Sequence, residues 1–239
     1  MKIFYIKYKT LYKIIIICIL LVTILGLTYI YNKKTVNTFN NKDVYYKGNV
    51  DEKIIAFTCN IDWGNEYIPK MLDIFEKNNI KITFFPTGRW ADKNRALIKL
   101  ISARGHEIGN HGYYHKDYSK LSYNGNKKEI YQTDILLKEI TNTTPKYFAP
   151  PAGAYNKNTI KAANDLNYKI IMWSIDTIDW RKDSTSDKIT NRVIKKANNS
   201  AIVLMHPKEQ TVKALPSIIK ILKQKGYEIG RVSDVIINN

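Results

Sequence analysis

Three of the four histidines in this 239-residue chain, His106, His111 and His115, fall inside the segment GHEIGNHGYYH. His111 and His115 stand four residues apart. On a helical turn that spacing puts both imidazoles on one face and offers two nitrogen donors to one metal ion. Asp62, just past the β-prone run 54–59 and followed by Trp63-Gly64, is the carboxylate that could complete the set. Two imidazoles and one carboxylate leave positions open for water and substrate, as hydrolytic zinc sites require, and such an ion lowers the pKa of bound water toward ~7. His206 closes the apolar run Val203-Leu204-Met205 and is a candidate general acid. Asp176 and Asp179 end the run before it, and either could hold that imidazole in its donor-ready form. The competing readings are surface or capping histidines, and a turn or N-cap aspartate at position 62.

The elements that must carry these groups alternate. Short apolar runs at 54–59, 81–85, 107–108, 147–149, 168–175, 201–205 and 227–229 read as strands. Ile68, Met71, Leu72 and Phe75 recur at i, i+3, i+4 and i+7 as one amphipathic helix, and further helices are expected at 96–103, 129–140, 159–166, between 175 and 201, and at 212–223. Strand–helix alternation implies an α/β domain with parallel strands, in either an open doubly wound sheet or a barrel. In both, catalytic groups gather at the carboxyl ends of the strands.

The composition, 44% hydrophobic and 25% charged, excludes a disordered or collagen-like chain. Two cysteines, Cys18 and Cys59, exclude a disulfide scaffold and a cysteine-rich zinc module. Residues 14–30 carry no charge and are rich in Ile, Leu and Val, enough to span ~30 Å of hydrocarbon as a helix. Four lysines precede this stretch, so the positive-inside tendency leaves the N-terminus in the cytoplasm and the rest outside. The reading is a cytoplasmic stretch over 1–12, an uncleaved single-pass signal anchor over 13–32 (a cleaved signal peptide is the rival), a linker over 33–52, and one domain over 53–239 outside the cell membrane. The net charge is +17, of which +7 falls in residues 1–47. A basic domain outside the cytoplasm argues against nucleic acid as the partner and better fits an anionic wall or membrane surface; biased codon usage is the alternative source of the charge. A monomer is expected.

These segments together resemble the polysaccharide deacetylase family, the NodB-homology carbohydrate esterases of family 4, across residues 54–236. The family's T-F-D-D-G motif resembles Thr58-Cys59-Asn60-Ile61-Asp62-Trp63-Gly64, and its H-[ST]-x-x-H motif resembles His111-Gly112-Tyr113-Tyr114-His115. R-x-P-[YF]-G is similar to Ala149-Pro150-Pro151-Ala152-Gly153, D-x-x-D-W to Asp176-Thr177-Ile178-Asp179-Trp180, and L-x-H to Leu204-Met205-His206. Thr83-Phe84-Phe85-Pro86-Thr87-Gly88 is similar to T-F-F-x-x-G.

The resemblance implies a distorted (β/α) barrel, preceded here by the membrane helix, that removes acetyl groups from sugar polymers with a divalent metal, zinc first. It assigns the metal to Asp62, His111 and His115, and the proton for the leaving amine to His206, tuned by Asp176. The oxyanion falls to the Pro151-Ala152-Gly153 backbone, and the acetyl pocket to Trp180 and Leu204. Two positions depart from the pattern. The family's catalytic base is an aspartate where this chain has Asn60, and the arginine that pairs with it is Ala149. An amide accepts no proton at neutral pH, and base assistance is worth ~10²–10⁴-fold. Loss of both together is physically consistent, since a buried guanidinium without its carboxylate is costly. The Asn-x-Asp-Trp-Gly and Ala-Pro-Pro forms resemble a sporulation-associated branch. Arg89 could partly replace the lost arginine. Three functions follow: a membrane-anchored deacetylase of peptidoglycan-type polymer, a wall-binding pseudoenzyme, or an O-acetyl esterase on the same scaffold.

Overall fold

The computed structural model describes Tyr8, Lys9, Lys13, residues 16–24, Gly26 and residues 44–237. The chain divides into two units, Met1–Asn41 and Lys42–Asn239. In the first, residues 16–24 are helical and exposed. Among the described residues no helix is long and apolar enough to cross a membrane. Most of the stretch expected as cytoplasmic over 1–12, part of the anchor over 13–32, and the linker up to residue 43 lie outside the described residues.

The second unit alternates strands and helices in the order β1 (Val44–Tyr45), β2 (Ile54–Ile61), α1 (Ile68–Lys77), β3 (Thr83–Pro86), α2 (Gly88–Lys93), α3 (Arg95–Ala103) and β4 (Glu107–Ile108). It continues through α4 (Tyr123–Thr141), β5 (Tyr147–Phe148), α5 (Lys157–Asp165), β6 (Lys169–Ile171), β7 (Ile175–Asp176), α6 (Ser186–Lys196), β8 (Ile202–Met205), α7 (Glu209–Gln224), β9 (Glu228–Gly230) and α8 (Val232–Val235). All named strand pairs are parallel. One sheet runs β4-β3-β2-β8-β7 with β9 also on β2, and a second runs β1-β6-β5. A single bridge, Asn110 to Phe148, joins the end of β4 to β5. The result is a distorted, interrupted barrel.

β2 sits at its centre and explains the layering. Ile55, Phe57, Cys59 and Ile61 pack outward against α1, α3 and α7, through residues such as Phe75, Ile101 and Leu215. The alternate face belongs to the interior, where Ala56 packs with Phe85, Ala149, Ile171 and Ile202. A strand buried on both sides reads as a continuous apolar run, which is why β2 and β8 are visible without periodicity. Val50, Val232, Val235 and Ile236 join the Ala56 cluster near the amino-terminal end of the strands.

Two expectations change. The domain begins before residue 53, because β1 pairs with β6 and Lys47 bridges Ala201. The run 168–175, read as one strand, is two: after Ile171 the chain changes neighbours, Met172 N–H donating to Tyr45 (2.8 Å) and Ser174 N–H to Ile202 (3.1 Å). That step carries the backbone from one sheet to the other.

Candidate active site

Alternation along β2 decides what reaches the interior at its carboxyl end. Thr58 follows Ala56 on that face and bonds the Val203 carbonyl at 2.9 Å; Asn60 comes next, and Asp62 lies just beyond the strand. Asn60, Asp62, His111, His115, Asp176 and His206 line one cavity of about 420 Å³, with Ala152, Leu204 and Trp180 in its wall. The sequence-predicted groups therefore share one space, contributed by the ends of several parallel strands.

His111 and His115 do not lie on a helix. They sit in a loop after β4, folded by positive φ at Gly112 (71°) and His115 (54°), which brings the two rings to 5.2 Å between centroids at 74°. Glycine is obligatory at 112, where a Cβ would stand 2.0 Å from the Tyr118 hydroxyl. The His111 ring is buried and donates from Nδ1 to the Ala149 carbonyl at 2.6 Å, so Nε2 is the free lone pair. Burial first, and the neighbouring His115 second, push its pKa down to about 3. The ring is neutral at physiological pH, the form that ligates a metal.

Asp62 is differently engaged. Burial raises its carboxyl, but hydrogen bonds from Arg89 and Thr87 outweigh it and hold the group below the usual carboxylate range. Thr87 donates to Oδ1 at 2.6 Å, Arg89 Nε donates to the same oxygen at 2.8 Å, and Arg89 Nη2 donates to Oδ2. Against a divalent ion, the donor set is right in kind. It is not available as placed: both Asp62 oxygens are taken, and among the described residues no group of three His, Cys, Asp or Glu stands ready to hold an ion. Arg89 consequently does not serve the Asn60 position; it serves Asp62.

Asp179, rather than Asp176, partners His206. The His206 Nδ1–H donates to Asp179 Oδ1 at 2.7 Å, while the His206 backbone N–H and the Thr211 hydroxyl both donate to Oδ2 at 2.7 Å. Asp179 is buried; Asp176 lines the cavity and accepts the Ile178 N–H at 2.7 Å. The positive φ of Ile178 (53°) turns the segment between them, so three residues of spacing separate a wall residue from a ring-orienting one. A carboxylate cannot donate, which fixes the His206 tautomer with Nε2 as the second ring nitrogen.

Pro151–Gly153 form a 3-10 turn in which Ala152 is left-handed (φ 52°, ψ 17°). A non-glycine residue held there costs about 1–2 kcal/mol and marks a backbone constrained by its surroundings. Pro151 is buried behind the turn, and at Gly153 a Cβ would stand 2.8 Å from the Trp173 ring.

Asn60 is 5% exposed, and its Oδ1 is buried without a hydrogen-bond partner among the described residues. Ala149 is buried in the interior cluster. Such an orphan oxygen costs about 1–3 kcal/mol. Trp63 and Trp173, which sequence reasoning did not single out, also line the cavity. Trp63 stacks on His206 (5.7 Å, 19°), with Lys208 5.3 Å from its ring centroid; the Trp-Gly following Asp62 was the available signal.

The profile of the polysaccharide deacetylase family matches residues 47–171. YlxY, an uncharacterized protein of Bacillus subtilis, is 41% identical over 191 residues, 80% of this chain and 60% of that protein, so the chain spans less than two thirds of that relative. A peptidoglycan-N-acetylglucosamine deacetylase of Bacillus cereus is 34% identical over 76% of this chain and 67% of its own. Among solved structures, BA3943 of Bacillus anthracis, a CE4 family pseudoenzyme, superimposes with a TM-score of 0.78 at 38% identity over 80% of this chain and 68% of its own; a mutant of it with restored enzymatic activity also gives 0.78.

Proposed function

Because the chain belongs to the polysaccharide deacetylase family, we propose that its cleft receives an acetylated amino-sugar unit of a peptidoglycan-type polymer, outside the cell membrane, and binds it without efficient turnover. One observation carries the reading. Asn60 stands where the family resemblance places the carboxylate base, and its side-chain oxygen is buried with no hydrogen-bond partner among the described residues. An amide in the wall of this cavity can hydrogen-bond a bound amide and cannot take a proton from water. The likeness to a CE4 family pseudoenzyme supports the same conclusion. Trp63 and Trp180, 41% and 55% exposed at the cavity, offer apolar ring faces for a sugar ring. The uncharged stretch 14–30 is proposed to tether the domain to the membrane, and the surplus of lysine to favour an anionic wall.

A second reading, a membrane-anchored metal-dependent deacetylase, is favoured by the His206–Asp179 pair and the left-handed turn at Ala152, both beside the cavity, to which this reading gives the acid and the oxyanion contact. An O-acetyl ester, with a better leaving group, is the substrate least dependent on a base. The two readings separate in one preparation. Co-sedimentation of the purified chain with N-acetylated peptidoglycan, weakened by Trp63→Ala, without acetate release supports binding. Acetate release abolished by His206→Ala supports hydrolysis.

A further inference from the structure

The cation beside Asp62 belongs to the protein. Arg89 lies in the first turn of α2, one residue after Gly88, with Thr87 as the helix N-cap. Its side chain grips the carboxylate in a fork, Nε to Oδ1 and Nη2 to Oδ2, while the Thr87 hydroxyl adds a third donor. A guanidinium fork matches a carboxylate in geometry and charge and occupies the lone pairs that a metal would need. The same residue is tied to the histidine loop through its backbone. Arg89 N–H donates to the Tyr113 carbonyl at 3.0 Å, and Gly88 N–H donates to Gly112 at 2.8 Å. One residue thus bridges the carboxylate and the loop that presents His111 and His115.

We propose that Arg89 is an internal counter-cation that competes with a divalent ion for Asp62 and sets how tightly this site loads metal. The inference rests on Asp62, His111 and His115 being the metal-facing groups of the deacetylase cleft. A bidentate ion pair must open before both carboxylate oxygens are available, and the guanidinium would otherwise remain as a like charge next to the incoming ion. The pair can open, because the Arg89 side chain is 46% exposed and Asp62 only 12%, so the arginine has solvent to swing into. With the fork closed, the charge of Asp62 is balanced by Arg89.

The test is zinc binding by titration calorimetry on the full chain, stripped of metal, comparing wild type with Arg89→Ala and with Arg89→Ala/Asp62→Ala. Circular dichroism checks that each variant is folded. The expected result is one zinc per chain in Arg89→Ala, at least 10-fold tighter than in wild type and lost in the double variant. Cobalt(II) titration should show the same order through visible absorption in Arg89→Ala. Equal zinc affinity in wild type and Arg89→Ala overturns the proposal, as does a folded Arg89→Ala that binds no zinc. Peptidoglycan co-sedimentation of the same wild-type preparation reports separately on the cleft's substrate class: if it fails while Arg89→Ala gains zinc, the glycan reading falls and the role of Arg89 stands.

Discussion

His206 and Asp179 form a fully engaged pair at the end of the cleft. The buried carboxylate takes the imidazole Nδ1–H on one oxygen, and the His206 backbone N–H and Thr211 hydroxyl on the other, each at 2.7 Å. Three donors converging on one buried carboxylate rigidify the strand end that presents the imidazole to the cavity.

Asp179→Ala should therefore destabilise the protein by on the order of 3 kcal/mol, by stranding these donors. Asp176→Ala loses one local bond to Ile178 and should cost under about 1 kcal/mol. Urea unfolding of the two variants checks the ranking; equal losses would contradict it.

The histidine loop should tolerate no side chain at 112. Gly112→Ala forces φ near 71° on a residue with a Cβ and drives that carbon into the Tyr118 hydroxyl. A loss of at least about 2 kcal/mol follows from strain and displacement together. Thermal melting measures it.

Acid should unfold the protein from the histidines. Burial first, and Lys81 second, push the His106 pKa down to about 4, with its Nδ1 accepting the Ile82 N–H at 3.1 Å. His111 lies lower still, at about 3. Between about pH 6.5 and 4 the unfolded chain binds protons that the folded chain refuses, so stability falls as pH falls, by up to about 1.4 kcal/mol per pH unit for each ring. Urea midpoints at pH 7, 5.5 and 4.5 should show the decline, and His106→Gln should flatten it. An unchanged slope in His106→Gln would remove that ring as a cause.

Asn60→Asp places a carboxyl at a site that is 5% exposed and faces no arginine at 149. Burial raises the pKa of such a group, so the variant should be about 1–3 kcal/mol less stable than wild type at pH 7, and the deficit should close as pH falls below the raised pKa. Adding Ala149→Arg supplies the opposite charge and should narrow the gap at pH 7. Denaturation of the single and double variants at pH 5 and 7 decides this.

Much of this arrangement was legible before any coordinates. β2 and β8 are continuous apolar runs because parallel strands are buried on both faces, and Asn60, Asp62 and His206 fall at their ends. What escaped was direction and partnership. The choice between Asp176 and Asp179 depends on the turn at Ile178, and no periodicity encodes that turn. The four-residue spacing of His111 and His115 suggested a helix, whereas Gly112 and His115 make a loop of the same reach. Two-residue β1 is too short to show a period and falls inside the linker expected over 33–52. The sequence offers Arg89 as a partial replacement for the arginine lost at 149, and only packing shows that it reaches Asp62.

The most direct measurement is acetate release from N-acetylated peptidoglycan by the full chain with zinc in excess, for wild type, Asn60→Asp and Asn60→Asp/Ala149→Arg. Wild type should sediment with the glycan and release no acetate above a His206→Ala control, while the carboxylate-bearing variants gain turnover, up to ~10²–10⁴-fold from restored base assistance. Wild-type release that matches the variants would contradict binding without turnover and place proton abstraction on a group other than residue 60.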